Sequence, residues 1–232
     1  MLNFFKEVFK KGELRRKVVF TLGILFVFRL GAGIVIPYID TSAITSAATS
    51  SGIFGIMNML GGGTLEKFSL FSLGDSPYIT SSIIIELLSM DVIPALAQWN
   101  KEGNTGKKKK DKVTRVLTLA LAIIQGGSLT YAFDKGYSIL ASSSIWTYVY
   151  VVIVMAAGSM FTMWLGDQIT IKGVGNGTSL LIFTGIVANL PNSFISSFKS
   201  MVTFGSAYKT VTSLAWYILF FIVYLAIVVF VV

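Results

Sequence analysis

Runs of about twenty apolar residues recur along this chain, separated by short polar stretches, and that pattern fixes its solvent before any motif is read. One buried core cannot absorb several separate runs of that length. The charge content agrees: a soluble domain carries roughly a quarter charged residues, and this chain carries 13%, with 54% apolar residues and a mean hydropathy of +0.75. The reading is an all-α polytopic membrane protein.

Six spans are predicted: Val18–Ile36 stopped by Pro37, Ser69–Ile93 interrupted near Pro77 and stopped by Pro94, Val113–Phe133, Ile145–Leu165, Thr178–Phe198 and Ser213–Val232. Each is roughly long enough, at about 1.5 Å per residue, for a hydrocarbon core of about 30 Å. The first run exceeds the length of a signal-peptide core and no small-residue cleavage site follows it, so it is read as a span. Ahead of it, Leu2, Phe5, Val8 and Phe9 share one helical face, with Lys6, Lys10 and Lys11 elsewhere. That pattern suits an amphipathic helix on an anionic membrane surface. The expected layout is a cytoplasmic amphipathic segment over 1–17, five membrane helices over 18–198, and an external loop with a sixth helix over 199–232. The last run is still apolar at Val232, without a polar or aromatic anchor, which predicts a chain that continues in the full protein.

Nineteen basic residues give the chain a net charge of +8, and their positions decide what the charge means. Lys6, Lys10, Lys11, Arg15, Arg16 and Lys17 precede the first span; Lys101, Lys107 to Lys110, Lys112 and Arg115 lie between the second and third; Lys172 follows the fourth. The opposite side holds only Lys67, Lys135, Lys199 and Lys209. The positive-inside rule therefore places the amino terminus in the cytoplasm. The charge is topology, and no direct nucleic-acid readout is expected.

Cysteine and histidine are both absent. Thiolate metal sites, disulfides and Ser–His or Cys–His nucleophile pairs are impossible within this chain. No metal or cofactor is expected, and the chain is not read as an enzyme.

Four features stand out. Ile53, Phe54, Ile56, Met57, Asn58, Met59 and Leu60 form a cluster too short to span, followed by Gly61-Gly62-Gly63. Two readings stay open: a re-entrant helix shielded by protein with glycines as its hinge, or a cap on the outer surface. The Gly173-Val174-Gly175-Asn176-Gly177 run is read as a tight turn; a phosphate site at the helix start is disfavoured because no strand precedes it. Lys107, Lys108, Lys109 and Lys110 lack the Ser or Thr and the spacing of a phosphate loop. They are read as a cytoplasmic basic loop, either simply solvated or docking an anionic partner. Arg29 and Asp75 are the charges expected inside the membrane, where such groups face the bundle or an aqueous path; whether they pair is open.

Several stretches together resemble the amino-terminal half of the SecY/Sec61-alpha family, the large subunit of the protein-conducting channel. They are Phe28-Arg29-Leu30-Gly31 with Ile36-Pro37, Met57-Asn58-Met59 with Gly61-Gly62, and Leu73-Gly74 with Pro77-Tyr78-Ile79-Thr80 and Ser82-Ile83-Ile84-Ile85. Met163-Trp164-Leu165-Gly166-Asp167-Gln168-Ile169-Thr170 and the Gly173–Gly177 run complete the series. The resemblance is collinear over nearly the whole chain. It implies the first half of an inverted repeat plus the next helix, in a channel that passes secretory proteins across the bilayer and membrane proteins into it.

It also implies roles. The cluster at about 52–70 becomes a re-entrant plug. Ile79, Ile182 and Ile186 become part of an apolar pore ring, and Ile83, Ile84 and Leu87 part of a lateral gate. Implied partners are SecE-like and SecG-like subunits, the SecA motor, the ribosome, the insertase, unfolded precursors with their signal sequences, and the lipid bilayer of a bacterial cell membrane. One departure is chemical: four residues before Ile79 the family usually has an apolar side chain, and here stands Asp75. On residues alone two other readings remain, an inverted-repeat transporter for small solutes and a membrane enzyme. The first needs convergent polar groups at the midplane, and the second needs a nucleophile or paired carboxylates. Neither pattern is evident.

Overall fold

The computed structural model describes residues 12–40, 63–65, 67–90, 92–140, 144–201 and 217–218. Six helices lie there: α1 Gly12–Ala32, α2 Ser76–Leu88, α3 Pro94–Lys101, α4 Asn104–Tyr137, α5 Ile145–Lys172 and α6 Gly177–Met201. The chain divides into two compact units, Met1–Ile186 and Val187–Val232. In the second, Pro191 lies inside α6 and Phe198 meets Tyr217 edge to face at 5.4 Å. The first unit holds the rest of the described fold.

Among the described residues, α4 and α5 are the helices long and apolar enough to cross a membrane. The predicted second span is not one helix. Ser69–Asp75 forms turns, and α2 begins at Ser76 with Pro77 in its first turn, where a missing N–H costs nothing. Its 13 residues reach about 20 Å, short of a hydrocarbon core. Pro94, read from sequence as a stop, instead opens α3. α1 also ends earlier than predicted, at Ala32 rather than Ile36, because Ile34–Asp40 leaves the helix to pair with other backbone. The amphipathic segment 1–11, the cluster 53–62 and most of the sixth span lie outside the described residues.

α4 and α5 pack along stripes of small residues. Thr114, Thr118, Ala122, Gly126 and Thr130 recur every fourth position on α4 and are all buried; α5 buries Ala156 and Thr162, and its Gly158 and Ser159 meet the turn before α2. Small side chains let helix backbones approach where lipid supplies no hydrophobic drive to association. The buried threonine hydroxyls donate to carbonyls one turn back, Thr118 to Thr114 at 2.7 Å and Thr130 to Gly126 at 2.7 Å, so no polar atom of theirs is stranded.

Two apolar clusters fill the first unit. One joins Ile36, Phe68, Phe133, Ile139, Leu140, Val151 and Met155. The other joins Ile24, Phe28, Ala32, Phe71, Leu165, Ile169 and Leu181. Phe68 sits at φ +44°, a left-handed backbone that costs a bulky residue roughly 1–2 kcal/mol. Complete burial of its ring against Phe133, at 5.5 Å, opposes that cost. Lipid-facing helices should expose apolar side chains, and Leu22, Phe26 and Leu30 of α1 do so.

At Gly158 the backbones approach so closely that an added Cβ would strike the Leu70 carbonyl. Gly158→Val should therefore lower the thermal stability of the assembled complex, at a cost of about 1–3 kcal/mol. Gly136→Ala, at a position with open space around it, should leave stability unchanged or raise it. Parallel melting curves of the two variants check both.

Candidate functional site

α2 has two chemically distinct faces. Pro77, Ser81 and Ile85, at i, i+4 and i+8, are buried. Ile79, Ile83 and Leu87 have the same spacing on the other side and are exposed, at 36%, 54% and 57%. Ile84 is half-buried between the faces. Ile182 and Ile186 share one face of α6, both half-buried. The two buried apolar clusters of the first unit form without these isoleucines.

The turn that precedes α2 is anchored to α5. Gly74 adopts φ +51°, and its carbonyl accepts a hydrogen bond from Ser159 Oγ at 3.0 Å. Asp75 follows at the helix N-cap position but makes no capping bond. It is buried, and its Oδ1 has no hydrogen-bond partner. Arg29 is exposed in the last turn of α1, and no ion pair joins it to Asp75. The two charges expected inside the membrane therefore sit apart, Asp75 buried within this chain and Arg29 on its surface.

The glycine run before α6 is a tight turn in which several amides are already used. Gly175 has φ +74°. Val174 N–H donates to Thr21 Oγ1 at 3.1 Å, which ties the turn to α1, and Gly177 N–H donates to Thr170 Oγ1 at 2.9 Å. Ser179 N–H reaches Asn176 Oδ1 at 3.2 Å, and Leu180 N–H reaches the Asn176 carbonyl at 3.1 Å. A phosphate at this helix start would have to displace those bonds. Thr21 was invisible as a partner from sequence, since 153 residues separate it from Val174.

Lys107, Lys108, Lys109 and Lys110 are not in a loop: they occupy the first turns of α4. Gly103, at φ +63°, turns the chain sharply out of α3, so α4 can start at Asn104. Lys107 and Lys108 are exposed. Lys109 pairs with Glu102 at 2.7 Å and lies 5.9 Å from the Trp99 ring centre. Further along, Arg115 of α4 pairs with Asp167 of α5 at 2.7 Å.

With this arrangement described, comparison with known proteins identifies the family. A family model described as SecY matches residues 69–232. The chain belongs to the SecY family. It is 43% identical over 209 residues to protein translocase subunit SecY 1 of Lactobacillus kefiranofaciens subsp. kefiranofaciens, covering 89% of this chain and 48% of that protein. Against protein translocase subunit SecY of Bacillus subtilis (strain 168) the identity is 41% over 195 residues, covering 83% of this chain and 45% of that one. The chain spans about half the length of the curated relatives it matches.

Two solved structures share its fold at 18% identity and a TM-score of 0.55: Sec61 in the canine ribosome-channel complex from the endoplasmic reticulum, and a protein-conducting channel. Each alignment covers 87% of this chain, with 42% and 41% of the respective structures. The all-helical, SecY-like fold and membrane character expected from sequence hold.

Asp75 is buried with its Oδ1 unpartnered, and such a polar group costs about 1–3 kcal/mol. Asp75→Ile should raise the stability of the full-length complex by a comparable amount. Single-channel recording should show an unchanged resting ion leak; a clear fall would place Asp75 in the constriction.

Proposed function

We propose that this chain supplies part of the pore-forming subunit of a protein translocation channel, which passes unfolded precursors across a membrane and membrane segments into it. The observation that carries the reading is the 43% identity, over 89% of the chain, to a protein translocase subunit. The two-faced α2 supports it physically: Pro77, Ser81 and Ile85 fix the helix while Ile79, Ile83 and Leu87 stay available.

In this reading Ile79 contributes to the ring with Ile182 and Ile186, and residues from the remainder of the protein complete it. A narrow ring of branched apolar side chains disfavours water and hence ions. It yields to an extended peptide because no directional bond has to break. Ile83, Ile84 and Leu87, further along α2, form part of the lateral gate toward lipid. The plug role falls to Ile53, Phe54, Ile56, Met57, Asn58, Met59, Leu60, Gly61 and Gly62. Phe68 and Ser69, which follow, are buried, so the segment's carboxy-terminal end is held in the core.

The amino terminus faces the cytoplasm of a bacterial cell in this proposal. Charge and aromatic placement support that topology: Lys107, Lys108 and Lys112 are exposed at the start of α4, while Tyr131 and Tyr137 near its end and Trp146 and Tyr150 of α5 are exposed at the other extreme. Basic residues favour the cytoplasmic side, and Tyr and Trp favour interfaces. The proposed partners are SecE-like and SecG-like subunits, the SecA motor and the ribosome. No chemistry is required of the chain itself, since the motor or ribosome supplies the work.

A photo-crosslinking probe at Ile79 or Ile182 of the full-length complex should capture a stalled secretory precursor. A probe at Ile85, on the buried face, should not. Failure of the probes at both Ile79 and Ile182 to crosslink would overturn the channel reading.

A further inference from the structure

The lysine run at the start of α4 is divided by its geometry. Lys107 and Lys108 face solvent. Lys110 points inward: its side chain is 17% exposed, and its ammonium reaches Glu86 Oε2 of α2 at 3.3 Å and donates to Asn100 Oδ1 of α3 at 2.7 Å. Asn100 passes the connection on, because its Nδ2 donates to the carbonyl of Ser89 at 2.9 Å. Ser89 is the C-cap residue of α2, is buried, and closes that helix end through its own hydroxyl on the Glu86 carbonyl at 2.8 Å. One ammonium thus meets α2 directly and, through one amide, meets it again at its last turn. Three helices are braced by a group whose three donors suit several acceptors at once.

We propose that Lys110 is a positioning residue for α2. It sets the rotation and height of the helix whose exposed face carries Ile79, Ile83 and Leu87, and it transmits load on the start of α4 to that face. The proposal rests on the channel reading for its consequence, namely that a loosened α2 opens too readily. It assigns the neighbouring lysines a different task, since Lys107 and Lys108 make none of these bonds.

The test uses the full-length complex in proteoliposomes. Lys110→Met keeps the side-chain stem and removes the ammonium. Export of a precursor with a defective signal sequence should rise about ten-fold, the effect on a two-state equilibrium of losing a hydrogen bond to a charged group. Export of a normal precursor should change little. The double variant Lys107→Met/Lys108→Met should leave this discrimination as in the wild type. Exchanging the charges, Lys110→Glu with Glu86→Lys, should restore part of it, since the ion pair re-forms while a carboxylate cannot donate to Asn100 Oδ1.

The segment has no cysteine, so spin labels placed by Leu87→Cys and Lys112→Cys report the α2–α4 distance directly. That distribution should broaden with Lys110→Met and narrow again on charge exchange. Wild-type discrimination together with a wild-type distance in Lys110→Met would overturn the proposal. So would a charge exchange that restores neither. If Lys110→Met does not accumulate, the charge-exchanged pair decides by the same two readouts. A wild-type complex that exports nothing, while the distances still respond to Lys110, would sink the channel reading and leave the brace standing.

Discussion

The extended segment Ile34–Asp40 is the tie on which the first unit depends. It leaves α1, pairs with the turn before α2 through Ile36 N–H to Phe68 O at 3.1 Å and Leu70 N–H to Ile34 O at 2.8 Å, and then meets the α4–α5 connection through Asp40 N–H to Ile139 O at 2.8 Å. Three chain segments far apart in sequence thus satisfy one another's backbone groups. Unsatisfied peptide groups cost several kcal/mol away from water, so irregular backbone here is possible only because each piece supplies the partners of the next. The buried side chains of Ile36, Phe68 and Ile139 cover those bonds in a shared apolar cluster.

That tie has consequences for α2. The turn Ser69–Asp75 hangs from the extended segment at one end and from Ser159 of α5 at the other. Its path is narrow: it passes Gly158 so closely that no Cβ fits there, and Phe71 lies against Gly31 of α1 in the same way. α2 therefore starts from a fixed point. Packing of its Pro77–Ser81–Ile85 stripe and the bonds around Glu86 and Ser89 then hold its length. A short helix held at both ends can present an apolar face that the core does not absorb.

Much of this was legible in the sequence, for definable reasons. Long apolar runs mark membrane helices because each must satisfy its backbone internally, and α4 and α5 follow. The i, i+4 spacing puts Ile182 and Ile186 on one helical face without any coordinates. What sequence misjudged were boundaries set by tertiary bonds. Lys107–Lys110 read as a loop because they lie between two apolar runs; Glu102, Glu86 and Asn100 supply partners for two of them within the helix. Pro94 read as a stop because proline ends helices, yet it also starts them.

The sequence by itself determined the solvent, the helical class, the family resemblance and the exclusion of His- and Cys-based chemistry, since these follow from composition and local periodicity. The tertiary structure alone decided which side of each helix is spoken for. Burial of Asp75 apart from Arg29, the inward turn of Lys110 and the tie from Thr21 to Val174 all join residues distant in the chain. Periodicity says which residues share a face. Only packing against other elements says what that face meets.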